Sequence, residues 1–296
     1  MEIMTYMMFY QHTTQFMIDY MKSNRIELYN DDCINIMQKM IEDGIKVDLT
    51  VTSPPYDSLR SYEDEVSWNF DKFKEVANKL YEVTSDGGVV IWVVNDQVRK
   101  GSETGTSFKQ ALYFMEIGFR LHDTMIFQKA NYIPLTHNRY EQSFEYMFCF
   151  SKGKPKTFNP IMIPCKNAGK LESYGIERRS LLDKNQAMRA PEGKTFMATK
   201  DTKYHPNIFT YSLGSQKTGH PAVFPDKLAE DQIITWTNEG DLVFDPFMGS
   251  GTTGKMSIQN NRNFIGIELV KNYYDISMKR IGEEAVKNDI YIKTQL

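Results

Sequence analysis

Thr52-Ser-Pro-Pro-Tyr56 combines two rigid prolines with a hydroxyl group and an aromatic ring. Each proline fixes φ and lacks an N–H donor, so the carbonyl groups of this segment point rigidly beyond the preceding strand. A carbonyl and the Ser53 hydroxyl can accept hydrogen bonds from an exocyclic amine, and Tyr56 offers a flat face for stacking. We therefore interpret Ser53, Pro54, Pro55 and Tyr56 as a catalytic clamp for a base. The alternative is a Pro-Pro turn that only ends a strand.

A second motif, Asp245-Pro-Phe-Met-Gly-Ser-Gly-Thr-Thr-Gly254, lies much later in the chain. An apolar strand precedes it, its glycines allow a tight turn, and a helix follows at once. Backbone N–H groups at a helix start favour anionic or carboxylate groups. Glu268 ends the next strand, where an acidic side chain can accept hydrogen bonds from both hydroxyls of a ribose. The pattern predicts a site for a nucleotide-like cofactor.

The same turn resembles two other nucleotide-binding loops. The run from Gly249 to Lys255 nearly matches the phosphate-binding pattern G-x-x-x-x-G-K-[ST], but Met256 stands where the magnesium-binding hydroxyl is needed. A P-loop nucleotide hydrolase is therefore the remoter alternative. A NAD-binding turn would carry G-x-G-x-x-G, and the spacing of the glycines here is close to that pattern, but the aspartate and the paired threonines favour a different cofactor.

Composition sets the general limits. The chain has 296 residues, 41% of them hydrophobic, and a net charge of −3. Such a chain can bury one large core, and it has no apolar run long enough to span a membrane. Its five histidines show no metal-ligand spacing, so no metal is expected. The three cysteines are too scattered for a disulfide framework, which favours the cytoplasm: Cys33, Cys149 and Cys165.

Alternating strand and helix patterns run from residue 25 onward and predict helices that cover a largely parallel sheet. Val89–Val94 is the strongest strand pattern and is expected to be central, whereas 99–107 is predicted to be a loop. The other predicted strands are 26–29, 47–52, 121–128, 146–151, 242–244 and 263–268. The predicted helices are 33–41, 70–83, 108–117, 226–235, 252–260 and one from about residue 272.

Charged residues are unevenly distributed along the chain. Between residues 152 and 203 it carries twelve Lys and Arg against five Asp and Glu, a net charge of +7, which leaves −10 for the remainder. A basic stretch on an acidic body is typical of a segment that faces nucleic acid. A solvated loop with a chance excess of cations is the alternative. The candidate DNA-binding residues are Lys154, Lys170, Arg178, Arg179 and Arg189.

Three segments together resemble the permuted β-class of DNA amino-methyltransferases: 52–56, Gly219-His-Pro-Ala-Val-Phe-Pro225 and 245–253. The resemblance implies a Rossmann-like fold that uses S-adenosylmethionine. In that fold a mostly parallel, seven-stranded sheet is circularly permuted and carries a basic target-recognition insert. The implied divisions are a helical extension at 1–24, a catalytic half at 25–151, the insert at 152–211 and a cofactor-binding half at 212–296.

The resemblance also implies roles for individual residues. Glu268 would bind the ribose, and Asp32 would contact the adenine amine, although Asp31 could take that role instead. The pocket would be closed by Lys217, His220 and Pro221. The methionine end of the cofactor would be surrounded by Asp245, Phe247, Gly249, Gly251 and Thr252, with Thr52 in the same cofactor-binding set.

The implied reaction is direct in-line transfer of a methyl group to an exocyclic amine of a base flipped out of double-stranded DNA. Ser at the first clamp position is commoner in relatives that act on N4 of cytosine, and Asp or Asn in those that act on N6 of adenine. We therefore expect a cytosine-N4 enzyme, with adenine N6 as the alternative. The sequence leaves open the DNA site, a companion restriction endonuclease, and whether the enzyme is a monomer or homodimer.

Overall fold

The computed structural model describes residues 25–55, 68–132, 138–166, 168, 200–212 and 225–294, and the backbone of 171–173 and 196–198. The predicted helical extension at 1–24 lies outside the described residues. So does one residue of the clamp, Tyr56. The other predicted site residues outside them are Lys170, Arg178, Arg179, Arg189, Lys217, His220 and Pro221.

The described chain contains six helices and fifteen strands. The helices are α1 (Cys33–Glu42), α2 (Phe70–Val83), α3 (Thr106–Glu116), α4 (Asp226–Trp236), α5 (Thr252–Gln259) and α6 (Lys271–Lys287). The strands are β1 (Ile26–Tyr29), β2 (Val47–Thr52), β3 (Thr84–Val94), β4 (Val98–Arg99), β5 (Ser102–Glu103), β6 (Arg120–Lys129), β7 (Phe144–Ser151), β8 (Met162–Pro164), β9 (Leu171–Ser173), β10 (Phe196–Ala198), β11 (Thr202–Tyr204), β12 (Ile208–Tyr211), β13 (Leu242–Asp245), β14 (Asn263–Ile267) and β15 (Ile292–Thr294).

Nine of these strands form one sheet in the order β12-β6-β7-β3-β2-β13-β14-β1-β15. Only β7 runs antiparallel to its neighbours. The expectation of a mostly parallel sheet is therefore confirmed. The expected number of seven strands is exceeded because the short strands β12 and β15 extend the two edges. The β12 segment pairs with β6 even though the sequence assigned it to the insert.

The order in which successive strands join the sheet reverses between the parallel neighbours β2 and β13. From β2 the chain continues through α2 to β3 on one side, and from β13 it continues through α5 to β14 on the other. Such a switch point leaves a crevice at the carboxyl ends of the two strands, where open α/β sheets bind ligands. The fold therefore singles out the segments that follow Thr52 and Asp245.

Both faces of the sheet are buried, because side chains alternate along each strand. In β3, Val89, Ile91 and Val93 pack with residues of α4, α5 and α6 in one apolar cluster. On the opposite face, Val90, Trp92 and Val94 pack with residues of α1, α2 and α3. The continuous apolar run that predicted a central strand is thus explained by helices on both sides.

Two segments differ from the expected elements. Strand β3 begins at Thr84, earlier than the expected Val89, because Gly87 and Gly88 exchange backbone hydrogen bonds with Lys152 and Lys156 after β7. The segment predicted to be a loop at 99–107 contains the hairpin β4–β5 and the first turn of α3. Both differences arise from pairing between strands or from the start of a helix. The periodicity of apolar residues predicts neither of these.

Residues 160–206 form a separate compact unit, and 1–159 with 207–296 form the larger one. Within the smaller unit, β8 pairs with β11 and β9 with β10, both antiparallel. This unit lies inside the range predicted as the insert, 152–211, and carries nine Lys and Arg against five Asp and Glu. Its net charge is therefore +4.

Two helical glycines test how tightly α5 and α6 are packed. A Cβ on Gly254 in α5 would lie 2.6 Å from Ile281 Cδ1 and from Phe264 Cε1, whereas one on Gly282 in α6 would meet nothing within 4 Å. We expect Gly254→Ala to lower the free energy of unfolding by about 1–3 kcal/mol through overpacking. Gly282→Ala should leave it unchanged or raise it by up to about 1 kcal/mol, since Ala favours a helix. Urea unfolding of both variants measures this, and equal effects would contradict the packing.

Candidate active site

The carboxyl ends of four parallel strands, β2, β13, β14 and β1, meet at one edge of the sheet. Phe244 of β13 pairs with Thr50 of β2, and Asp245 pairs with Gly266 of β14. The residues that end or follow these strands carry the polar side chains predicted to form a site: Asp32, Thr52, Ser53, Asp245 and Glu268. The sheet therefore brings both sequence motifs to a single edge.

A buried hydrogen bond joins the two motifs directly. Thr52 Oγ1 donates to Asp245 Oδ1 at 2.6 Å, across 193 residues of sequence and across the switch point. Neither residue is appreciably exposed, with 0% and 1% of their surfaces accessible. The backbone N–H of Phe247 donates to the same Asp245 oxygen at 3.1 Å. The clamp strand and the turn after β13 are thereby fixed to each other.

Burial raises the pKa of Asp245 to about 7. Removal of the carboxylate from water is the largest cause, and hydrogen bonds from Thr52, Thr253 and the Phe247 backbone act in the opposite direction. Such donors are what a buried carboxylate requires, because its charged form is costly without them. Asp245 is thus a hydrogen-bond acceptor shielded from solvent, and its charged form depends on the donors around it.

Glu268 holds the turn after β13 in place through hydrogen bonds with the backbone. Its Oε2 accepts from the Gly249 N–H at 2.8 Å, and its Oε1 accepts from the Val270 N–H at 2.9 Å. Burial raises the pKa of Glu268, and these backbone hydrogen bonds partly offset that rise. Each carboxylate oxygen keeps a second lone pair. The side chain is therefore oriented by the protein and retains the capacity to accept hydrogen bonds from a ligand.

The glycines of the turn are required by its shape. Gly249 and Gly251 have φ values of 52° and 79°, a left-handed conformation that favours glycine. A Cβ on Gly251 would also lie 3.0 Å from Ile281 Cδ1 and from Ser277 Cβ on α6. The Gly251 N–H donates to Met248 O at 2.8 Å and so closes the turn immediately before α5. Thr252 is the first residue of that helix.

Phe247 belongs to an aromatic group that the sequence did not single out. Its ring lies edge-on to Trp68, with centroids 5.3 Å apart, and to Trp92 at 6.2 Å. Trp68 immediately precedes α2, and Trp92 lies in β3. No short motif contains these tryptophans, so the sequence gives no local signal of their contact with the turn.

Asp32 lies beyond the end of β1 and begins α1. Its Oδ1 accepts from the Ile34 N–H at 2.9 Å, an N-cap contact, and its Oδ2 accepts from Lys72 Nζ at 3.0 Å. Asp31 Oδ1 accepts from the Asp32 N–H at 2.7 Å and from Asn35 Nδ2 at 3.1 Å. Lys72, on α2, is a partner of Asp32 that the sequence analysis did not identify.

Lys154 is the exception among the described candidates. It follows β7 and lies beside Gly87, near the start of β3. That is the amino edge of the sheet, opposite the clamp. Its neighbours there have structural roles: Lys152 Nζ donates to the carbonyl oxygens of Tyr81 and Thr84, and Lys156 pairs with Asp48. The structure therefore does not bring Lys154 together with the other site residues.

Comparison with known proteins identifies the family to which this chain belongs. Residues 47–279 match the N6/N4 methyltransferase family model, described as DNA methylase. The orphan methyltransferase M.BamHII of Bacillus amyloliquefaciens is 51% identical over 245 residues, which cover 79% of this chain and 88% of the relative. This chain belongs to the DNA methylase family.

Solved structures of two other methyltransferases have a fold similar to that of this chain. The complex of M1.HpyAVI with S-adenosylmethionine has a TM-score of 0.59 and 26% identity, covering 86% of this chain and 98% of that one. The PvuII DNA methyltransferase, described as cytosine-N4-specific, has a TM-score of 0.63 at 18% identity and covers 91% and 95% of the two chains. The chain is thus a DNA methyltransferase whose cofactor is S-adenosylmethionine.

The chemistry of the turn fits that cofactor. Glu268 keeps acceptor capacity that suits the hydroxyl groups of a ribose, and Gly249 and Gly251 supply the left-handed backbone that the turn requires. A P-loop function has no support, because Lys255 Nζ is paired with Asp226 Oδ2 at 2.7 Å. Among the described residues, no group of three or more His, Cys, Asp or Glu could hold a metal ion. No described helix has both the length and the apolarity needed to cross a membrane.

Two threonines of β2 provide a matched test of the bond between the motifs. Both Thr50 and Thr52 are fully buried, but the Thr50 hydroxyl has no hydrogen-bond partner among the described residues. We expect Thr52→Val to lower the free energy of unfolding by about 1–3 kcal/mol, because Asp245 loses a donor in a place without water. Thr50→Val should be neutral or stabilising.

Urea unfolding measures the stabilities of both variants, and calorimetric titration measures their affinities for S-adenosylmethionine. Thr52→Val should also weaken cofactor binding, because the turn after β13 loses its attachment to β2. Equal losses of stability in the two valine variants would show that the Thr52–Asp245 bond has no special importance.

Proposed function

We propose that the methyltransferase transfers a methyl group from S-adenosylmethionine to the N4 amine of cytosine in double-stranded DNA, with the target base flipped out of the duplex. The observation that carries this proposal is the position of Ser53. It follows Thr52 at the switch point, one residue from the bond that attaches the clamp to the turn of the cofactor half.

The cofactor would be held by residues of the turn and of the neighbouring strand ends. Glu268 would accept hydrogen bonds from the ribose, and Asp32 from the adenine amine. The residues that would surround its methionine end are Thr52, Asp245, Phe247, Gly249, Gly251 and Thr252. Lys217, His220 and Pro221 would complete the pocket. When bound, S-adenosylmethionine supplies an electrophilic methyl group on a sulfonium centre.

The clamp would orient the nucleophile. The Ser53 hydroxyl and the Pro54 carbonyl would accept hydrogen bonds from the amine and turn its nitrogen lone pair toward the methyl group, while Pro55 keeps the segment rigid. Tyr56 would stack on the flipped base. The new bond forms between nitrogen and the methyl carbon as the carbon–sulfur bond breaks. The amine then releases one proton to solvent.

The choice of cytosine rests on the neutral clamp residue. Ser53 offers a hydroxyl where adenine-modifying relatives more often carry a carboxylate or an amide side chain. The cytosine-N4-specific PvuII methyltransferase shares the fold, but its 18% identity relates the two chains only in fold. Adenine N6 is therefore retained as the competing outcome of the experiment.

The modified base can be identified directly. We expect mixed-sequence DNA, incubated with the enzyme and S-adenosylmethionine and digested to nucleosides, to contain N4-methyl-2′-deoxycytidine by mass spectrometry. A Ser53→Ala variant should form less of it, because one acceptor for the amine is lost, and Ser53→Thr should retain more. A product containing only N6-methyl-2′-deoxyadenosine would overturn the choice of base but not the reaction class. No methylated nucleoside at all would overturn the proposed activity.

We further propose that the basic insert binds DNA through Lys170, Arg178, Arg179 and Arg189. The support is the net charge of +4 in the smaller unit, since cations that neutralise phosphates release bound counterions. Such contacts position the protein on the duplex, while contacts with base edges give sequence specificity.

Paired charge removal tests the insert. In an Arg178→Gln, Arg179→Gln variant we expect weaker DNA binding and a salt dependence shallower by about 1.8 in log–log slope. Cofactor affinity should not change. A Lys39→Gln, Lys154→Gln variant removes the same charge from the opposite edge of the sheet and serves as the control. Loss of cofactor affinity in the arginine variant would instead assign the insert a structural role.

A further inference from the structure

The hairpin β4–β5 follows the carboxyl end of β3, the neighbour of β2 in the sheet, and lies outside the insert. Thr52 pairs with Trp92 in β3, β3 ends at Val94, and the hairpin begins at Val98, six residues after Trp92. Six extended residues span at most about 20 Å. The hairpin therefore lies at the carboxyl edge of the sheet, the edge that holds Ser53 and Pro54.

The base of the hairpin is firmly anchored. Val98 pairs with Glu103, Arg99 pairs with Ser102, and the Thr104 N–H donates to Gln97 O at 2.9 Å. A two-stranded hairpin alone is only marginally stable in water, so its support must come from neighbouring residues.

Asp96 supplies part of that support. This side chain is only 5% exposed and accepts from Thr104 Oγ1 at 3.2 Å and from the Ser107 N–H at 3.1 Å. Its carboxylate thereby joins the end of β3, the end of the hairpin and the start of α3. The hairpin is consequently held in one position relative to the sheet.

The backbone conformation at the tip of the hairpin is unfavourable for one of its residues. Lys100 has a φ of 49° and Gly101 a φ of 78°. Two positive φ values are characteristic of a type I′ turn, whose first position favours Asn or Gly. A lysine there costs about 1–2 kcal/mol. Backbone strain of this kind is commonly retained at functional sites, so the lysine calls for a role other than stability.

The charge of the hairpin is positive. Residues 98–103 carry two cations, Arg99 and Lys100, and one acid, Glu103. Arg139 lies 3.9 Å from that carboxylate and also donates to the carbonyl of Gly101. Arg99 Nε donates to Gln97 Oε1 at 2.7 Å, and both Arg99 and Lys100 are exposed at the tip.

We infer that the β4–β5 hairpin is a second DNA-binding element, in which Arg99 and Lys100 contact phosphates of the duplex beside the flipped base. This inference rests on the proposed function only in taking DNA as the substrate. A base can reach the clamp only if the duplex lies over the carboxyl edge. Double-stranded DNA carries a phosphate charge about every 1.7 Å along its axis, so a duplex over this edge also presents phosphates to a hairpin at the same edge.

Substitutions at the tip separate the effect of the positive charge from the effect of the backbone conformation. Lys100→Asn removes the cation but suits the positive φ, so stability to urea should be unchanged or increased. Lys100→Arg keeps the charge. An Arg99→Gln, Lys100→Asn variant removes both cations. Matched controls are Lys39→Gln for one charge and Lys39→Gln, Lys154→Gln for two, since both lysines lie away from the clamp edge.

Binding of the full-length protein to a fluorescein-labelled, mixed-sequence duplex is followed by anisotropy between about 50 and 200 mM salt. The slope of log affinity against log salt should become shallower by about 0.9 for Lys100→Asn and by about 1.8 for the double variant. The Lys100→Arg variant and both controls should match the wild type. Affinity for S-adenosylmethionine should be the same in every variant.

Each outcome has one interpretation. If the hairpin variants bind DNA with the wild-type slope, or if the control variants lose as much, the hairpin does not contact phosphates and this inference is wrong. If the wild type itself neither binds nor methylates DNA, the proposed function fails instead. Reduced stability of Lys100→Asn to urea would contradict the description of the tip as strained.

Discussion

The hydrogen bond between Thr52 and Asp245 is the constraint on which the site depends. It crosses the point where the strand order of the sheet reverses, and it joins strands whose motifs are separated by most of the chain. Because both partners are buried, no water molecule can readily replace either of them. The separation between the clamp and the glycine turn is therefore set by the rigid core of the sheet and not by a flexible loop.

The two acidic residues of the turn illustrate how the protein supports buried carboxylates. Burial raises the pKa values of both Asp245 and Glu268, and each is opposed by hydrogen bonds from backbone or hydroxyl groups. These bonds also fix the side chains in one orientation. The polar network thus does two things at once, since the donors that make burial tolerable also shape the surface offered to a ligand.

Short motifs led to specific hypotheses about the chemistry of the site because their meaning is local. The two prolines after Thr52, the glycines at 249 and 251 and the acid at 268 each restrict the backbone or supply an acceptor at a strand end. Most of the major helices and strands followed from apolar periodicity, and α2 and β2 match their predicted ranges. The patterns did not reveal the partners of these residues, such as Lys72 for Asp32 or Trp68 for Phe247.

The sequence by itself determined the alternating elements, the residue types of the clamp and turn, and the basic character of the segment after β7. Only the tertiary structure decided that Thr52 and Asp245 touch, that Lys154 lies at the opposite edge, and that residues 98–103 form a hairpin after the carboxyl end of β3. Local patterns depend on adjacent residues, whereas strand order and edge position depend on pairing between distant segments. That pairing is settled only when the whole core packs.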